Sequence, residues 1–147
     1  MNDAKIIEKT IEHVREELGE AEGGHDWFHI QRVFRNTLQI AREEDVDIMV
    51  VSLAALLHDI ADAKFHSGDE KIGPKKADSF MRSLKIPAKT RKHVVKIIEN
   101  ISFKNSLDTR KKPFRSRELE VVRDADRLDA MGAIGIARAF SYGGFAG

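Results

Sequence analysis

The sequence feature that most constrains the fold is a nearly unbroken apolar run, Met49 to Leu57, that ends in the polar pair His58-Asp59. The run is apolar almost all round a helix, so it predicts a central, buried helix over about residues 47–59. An imidazole and a carboxylate at the end of such a helix are costly to bury unless something pairs with them. A divalent metal ion would pair with both and would need further ligands from other segments.

The rest of the chain also has helical periodicity, and signals for strands are poor throughout. Further helices are predicted over about residues 3–18 and 26–43, near Pro74, near Pro87, and from about residue 117. With 147 residues, 41% of them hydrophobic and 33% charged, the chain suits one globular domain with a real core. We therefore predict an all-α, single-domain helical bundle over residues 1–147. The glycine-rich end, around Gly143-Gly144, is typical of a loop, and it is either a natural terminus or a truncation.

Composition excludes several functional classes. The 25 basic and 24 acidic residues give a net charge of +1, so no global basic field predicts a nucleic acid partner, although local basic patches stay open. The chain has no cysteine, so any metal site must use His, Asp or Glu. The first residues lack the features of a signal peptide, and the longest apolar run is too short to span a bilayer. We therefore expect a cytoplasmic protein that does not contact membranes.

His29 and Asp126 are the best candidates to join His58 and Asp59 as metal ligands. Each lies on a separate predicted helix beside apolar neighbours that would fix it against the core. Two imidazoles and two carboxylates, with positions left for water, suit manganese, iron, cobalt, nickel or magnesium better than a closed tetrahedral zinc site. Such an ion lowers the pKa of bound water and draws charge from phosphoryl oxygens. The set therefore predicts hydrolysis at phosphorus.

His25 and His29 form a competing pair, because residues four apart share a helix face. His25 follows two glycines, however, so we interpret His25 and Asp26 as groups that cap the helix or orient the ligands. Trp27 and Phe28 are expected to be core residues rather than base-stacking groups. A purely structural helical domain, in which the histidines and aspartates satisfy one another, explains the same residues without a metal.

Asp62 lies four residues after His58 and would share its face if the helix continued for one more turn. There it could orient a water molecule or pass a proton to a leaving group, and the alternative is a loop carboxylate. Lys64 and Lys104 are candidates to bind a phosphate. Lys104 belongs to a charged stretch, and such stretches are more often solvated surface.

Three carboxylates, Asp124, Asp126 and Asp129, lie within six residues, which is more than one metal ion needs. At least one should cap a helix or pair with Arg127 or Arg32. We assign Arg32 and Asp129 to the groups that surround and orient the ligands.

These segments resemble the HD-domain metal-dependent phosphohydrolases, whose ligands follow the order H…HD…D. The resemblance lies in residues 25–33 (HDWFHIQRV), 58–65 (HDIADAKF) and 124–138 (DADRLDAMGAIGIAR). The match runs in order over most of the chain, and it looks most like the small stand-alone bacterial and archaeal branch. It implies an all-helical fold around a central divalent ion, held by His29, His58, Asp59 and Asp126.

The resemblance also implies roles and substrates. Asp126 is favoured over Asp124 because the family's last ligand precedes a D-x-x-D/H-A turn, here Asp126 to Ala130. Asp62 matches the position where related nucleotide-hydrolysing members place an acidic catalytic residue, usually Glu. Family substrates include nucleoside mono- and triphosphates, which implies a nucleotide phosphatase or pyrophosphohydrolase. A non-catalytic nucleotide- or metal-sensing module is the alternative, and a homo-oligomer is compatible with either.

Overall fold

The computed structural model describes residues 1–19, 27–61, 71–101 and 113–131. Within these ranges every regular element is an α-helix: α1 (Asp3–Leu18), α2 (Trp27–Ala41), α3 (Ile48–Leu57), α4 (Ile72–Ser83), α5 (Ala88–Asn100) and α6 (Arg117–Asp129). The prediction of an all-α fold is confirmed.

Helix α3 is the centre of the bundle, as its composition predicts. Every residue from Val50 to Leu57 is buried, and α1, α2, α5 and α6 all pack against the helix. The Asp47 carboxylate caps its first turn by accepting a hydrogen bond from the backbone N–H of Val50 at 3.2 Å. The helix ends at Leu57, so His58 and Asp59 lie in the turn that follows it.

The surrounding helices are amphipathic and bury one face each against α3 or against one another. Their contributions to the core include Val14, Ile30, Val33, Met81, Val94, Ile97 and Val122. Helix α2 packs on both α3 and α6, while α4 packs on α5. Gly73, in the first turn of α4, lies so close to the turn after α3 that a Cβ there would approach the Ala61 carbonyl oxygen to 3.1 Å.

The prediction that Phe28 is a core residue is wrong. Its relative exposure is 63%, whereas Trp27 is partly buried against the core. The cause is the helical repeat of about 100° per residue, because the buried face of α2 is defined by Ile30, Val33 and Thr37. Phe28 lies on the opposite side of the helix.

Among the helices described, none is both long enough and apolar enough to cross a membrane.

Candidate metal centre

Three helices of the bundle bring four polar side chains to one point. His29 comes from the first turn of α2, His58 and Asp59 from the turn after α3, and Asp126 from the last turn of α6. The Nε2 atom of His29 lies 3.2 Å from Oδ1 of Asp126 and 3.4 Å from Oδ2 of Asp59. The Nε2 atom of His58 lies 3.4 Å and 3.5 Å from the same two oxygens. The ring centroids are 5.6 Å apart, with the ring planes inclined at 72°.

This arrangement fits a divalent cation. Ligand atoms from His29, His58 and Asp126 lie within 4.8 Å of one another, and Asp59 faces both imidazoles. Ligands bound at about 2.0–2.2 Å around one ion are separated by roughly 3–4.5 Å, so the observed spacing matches a shared ion. The Nε2 atom of His58 is buried and has no hydrogen-bond partner in the described part of the chain. A cation would satisfy that atom.

The other nitrogen of each imidazole is anchored by the protein. Nδ1 of His58 donates a hydrogen bond to the Ala55 carbonyl oxygen at 2.8 Å, and Nδ1 of His29 donates to Oδ2 of Asp129 at 2.7 Å. Because both anchors are acceptors, the proton of each neutral ring belongs on Nδ1. The lone pair on Nε2 then faces the two carboxylates, as a metal-ligating histidine requires.

Asp129 is itself held by a two-pronged contact with Arg32. Nε of Arg32 donates to Oδ1 of Asp129 at 2.6 Å, and Nη2 donates to Oδ2 at 3.2 Å. Arg32 lies one turn after His29 on α2, and Asp129 lies one turn after Asp126 on α6. The contact therefore joins the two helices and fixes the His29 ring. Of the pairings that the sequence left open for Asp129, the structure shows the one with Arg32.

The electrostatics of the ion-free cluster are dominated by its two carboxylates. Burial lowers the pKa of His58, but the charges of Asp59 and Asp126 more than offset it and raise that pKa to about 10. Burial likewise lowers the pKa of His29, but hydrogen bonding to Asp126 and Asp59 leaves it raised. Burial raises the pKa of Asp126, yet its close contacts with the imidazoles of His29 and His58 hold that pKa well below its usual range. The cluster is thus a strong field for positive charge.

Five residues that the sequence assigned to the site are not among the described residues. They are His25, Asp26, Asp62, Lys64 and Lys104. Their roles therefore stay predictions. The sequence also missed the Ala55 carbonyl as the anchor of His58, because a backbone acceptor leaves no trace in residue types.

The HD-domain family profile matches residues 27–131, which include all four clustered side chains. The chain belongs to the HD-domain superfamily. HD domains bind divalent metals, and the cluster of His29, His58 and Asp126 is the candidate ligand set here.

Relatives of known sequence or structure match nearly the whole chain. The uncharacterized protein YpgQ of Bacillus subtilis is 34% identical over 147 residues, covering 100% of this chain and 71% of YpgQ. The crystal structure of an HD-superfamily hydrolase from Bacillus thuringiensis is 39% identical, with a TM-score of 0.75, and the match covers 99% of this chain and 69% of that one. The crystal structure of YpgQ in complex with ADP is 33% identical with a TM-score of 0.79 over the same shares. This chain therefore has the fold of HD-superfamily hydrolases.

Proposed function

We propose that the protein is a metal-dependent phosphohydrolase that acts on a nucleotide or another phosphate ester or anhydride. The observation that carries the proposal is the convergence of two buried Nε2 atoms on two carboxylates, with the Nδ1 atoms hydrogen-bonded behind them. A set of His and Asp residues that only satisfied one another would not leave a buried imidazole nitrogen without a hydrogen bond.

The residues that would hold the ion are His29, His58, Asp59 and Asp126. With nitrogen and oxygen donors and no thiolate, the set suits manganese, cobalt, nickel, iron or magnesium. When bound, such an ion lowers the pKa of a coordinated water and draws charge from phosphoryl oxygens. The protein's own part is to fix the ligands before substrate arrives.

The exposure of the four side chains indicates the side from which substrate approaches. The imidazoles of His29 and His58 are 2% exposed, while the Asp59 and Asp126 side chains are 18% and 34% exposed. The rings therefore form the floor of the site, and the carboxylates form its solvent-facing edge. Water and a phosphate group reach the cluster past the carboxylates, while Asp129, Arg32 and the Ala55 carbonyl keep the rings from rotating.

A nucleotide is the substrate class that we favour. The support is the ADP bound to YpgQ, which this chain matches over its whole length, together with the acidic residue Asp62 four positions after His58. In this proposal Asp62 handles a proton, while Lys64 and Lys104 bind phosphate oxygens. His25 and Asp26 orient the ligands from the segment before α2.

The test combines metal analysis with turnover. Purified protein is assayed for bound metal and then for hydrolysis of a nucleotide panel with Mn²⁺, Co²⁺, Ni²⁺ or Mg²⁺, with phosphate and pyrophosphate release measured separately. Asp126→Ala should lose metal and turnover by more than the roughly 10–100-fold that loss of an outer partner costs. Asp124→Ala is the matched control, because Asp124 is an exposed aspartate on the same helix.

Two results contradict the proposal. Metal bound at about one ion per chain without turnover of any substrate would identify a non-catalytic sensing module, in which binding stabilises the fold but makes no product. No bound metal, together with a melting temperature unchanged by Mn²⁺, Co²⁺ or Ni²⁺, would identify a purely structural domain.

A further inference from the structure

The near-zero net charge of the chain conceals a strong segregation of charge. Positions 71–117 contain 15 of the 25 basic residues but only 3 of the 24 acidic residues, giving this segment a formal charge of +12 and the remainder −11. Solubility alone is served by interspersed charges of both signs. The expectation against a nucleic acid partner rests on the total charge and leaves local basic patches open, and this segment is such a patch in the sequence.

Part of this positive charge lies on one helix face. Helices α4 and α5 form a hairpin joined by residues 84–87. On α5, Lys89, Lys92 and Lys96 recur with the helical repeat and are all exposed, opposite the buried residues Val94 and Ile98. We call these three residues the lysine face. Lys85, which is also exposed, lies in the connection that leads into α5.

The three lysines share this side of α5 with one acidic residue, the exposed Glu99, which lies three positions after Lys96. The structure shows no ion pair for the lysine face or for Lys85 within the described ranges, and the nearby Asp78 carboxylate is engaged by Arg82 and Arg91 at 3.0 Å and 3.1 Å. Like charges three and four residues apart repel one another and destabilise a helix. Repulsion among the three lysines therefore opposes the stability of α5.

The beginning of α5 adds to the positive field. Its N-cap is Pro87, which makes no side-chain capping bond, and its first turn contains no acidic residue. By contrast, α6 begins with a Ser116 cap and has Glu118 and Glu120 in its first turn. The positive end of the α5 dipole is thus left beside Lys89 and Lys85 rather than compensated.

The absence of large exposed hydrophobic residues from the α4–α5 hairpin indicates which kind of partner the lysine face fits. The large exposed hydrophobic residues in the described ranges are Met1, Phe28, Ile48, Leu128 and Met131, and none of these lies in residues 71–101. A membrane-bound helix or the core of a protein interface needs exposed apolar or aromatic side chains, and single-stranded bases need aromatic rings to stack on. A duplex backbone needs only positive charge.

We propose that the lysine face of α5, with Lys85, binds the phosphate backbone of a nucleic acid duplex without reading its sequence. Lys89 and Lys96 are about 10 Å apart along the helix axis, which corresponds to about three base-pair steps on one strand. The surface is separate from the candidate metal centre, since α5 supplies none of its four clustered side chains.

The experiment measures binding of the full chain to fluorescent DNA and RNA duplexes of about 20 bp and mixed sequence, by anisotropy, at salt concentrations from about 50 to 200 mM. Four phosphate contacts predict a slope of log affinity against log salt near −3.6, hence a loss of roughly 10²-fold over that range. The triple variant Lys89→Gln, Lys92→Gln, Lys96→Gln should reduce the slope to about −1 and weaken binding at low salt at least about tenfold. The corresponding Lys→Arg triple variant should bind like the wild type.

The matched control removes the same charge elsewhere. Lys5→Gln, Arg35→Gln, Arg42→Gln changes three exposed basic residues outside the segment and should leave the slope unchanged. Should the glutamine triple fail to fold, as judged by thermal melting, Lys96→Gln alone should reduce the slope by about 0.9. The proposal is overturned if the wild type binds neither duplex at low salt, or if the control loses as much affinity as the lysine variant. Binding to phosphatidylserine vesicles without binding to duplexes also overturns it.

Discussion

Replacing Asp129 by asparagine tests whether the contacts behind the candidate metal centre control its ligands. The Asp129 side chain is 3% exposed and accepts hydrogen bonds from Nδ1 of His29 and from both Nε and Nη2 of Arg32. Asparagine has nearly the same shape but one donor group and one acceptor group. Either orientation of its amide breaks at least one of these contacts.

The consequence differs between the two orientations. If the NH₂ group faces Arg32, two donors oppose each other, and the arginine is left partly unpaired. If it faces His29, Nδ1 must accept, and the ring proton moves to Nε2, which points at Asp59 and Asp126. We expect metal affinity to fall about 10–100-fold, or about 1.4–2.8 kcal/mol. Stability should fall by about 1–3 kcal/mol, because a buried charge-assisted contact is lost.

Metal affinity is measured by competition with a chelating dye for Mn²⁺, and stability by urea unfolding in the presence of chelator. Asp124→Asn makes the same chemical change at an exposed position of α6 and should alter neither quantity. Arg32→Gln keeps the carboxylate on His29, so it should weaken metal binding less than Asp129→Asn. Wild-type metal affinity in Asp129→Asn, even with reduced stability, would refute the reasoning and leave Asp129 as a clamp between helices.

Three further predictions concern protonation and packing. In chelator-treated protein, the His58 pKa of about 10 lies above its ordinary value of 6.5, so protonation of His58 should stabilise the folded state. This stabilisation should be complete below about pH 6.5 and lost as the pH rises through 10. Urea midpoints that do not change with pH over that window would contradict this. Leu56→Ala should cost about 2–5 kcal/mol in urea unfolding, because Leu56 is fully buried in the central helix. Ser116→Ala should cost about 0.5–2 kcal/mol through loss of the 3.0 Å cap to the Leu119 N–H, and its metal affinity should equal that of the wild type.

The central helix could be predicted from composition, but the position of its end could not. A helix apolar on all sides must be buried, and α3 is. The sequence placed His58 and Asp59 inside the helix, where neighbouring side chains point about 100° apart. The structure places them in the following turn, where Nε2 of His58 lies 3.4 Å from Asp126 and Oδ2 of Asp59 lies 3.4 Å from His29. Phe28 shows the same limit, since being next to a candidate ligand in sequence says little about which face a residue occupies.

The candidate ligands could be predicted as residue types, whereas the roles of the aspartates on α6 could not. Asp126 and Asp129 are three apart and share a face, while Asp124 is about 200° from Asp126 and points away. Helical phase therefore separates Asp124 from the other two. It does not say which of those two meets Nε2 of His29 and which meets Nδ1, because that depends on how far α6 is shifted along α2.

In the proposed function, the distribution of the cluster along the chain couples metal binding to folding. Its members lie at positions 29, 58, 59 and 126, so the unfolded chain has no comparable site. An ion present at 100 times its dissociation constant would then stabilise the fold by about 2.7 kcal/mol. The anchors would serve both processes, since the Arg32–Asp129 contact holds α2 to α6 and also holds the His29 ring that faces Asp59 and Asp126. The lysine face lies on α5, outside this linkage, so its loss should change duplex binding without changing the metal dependence of stability.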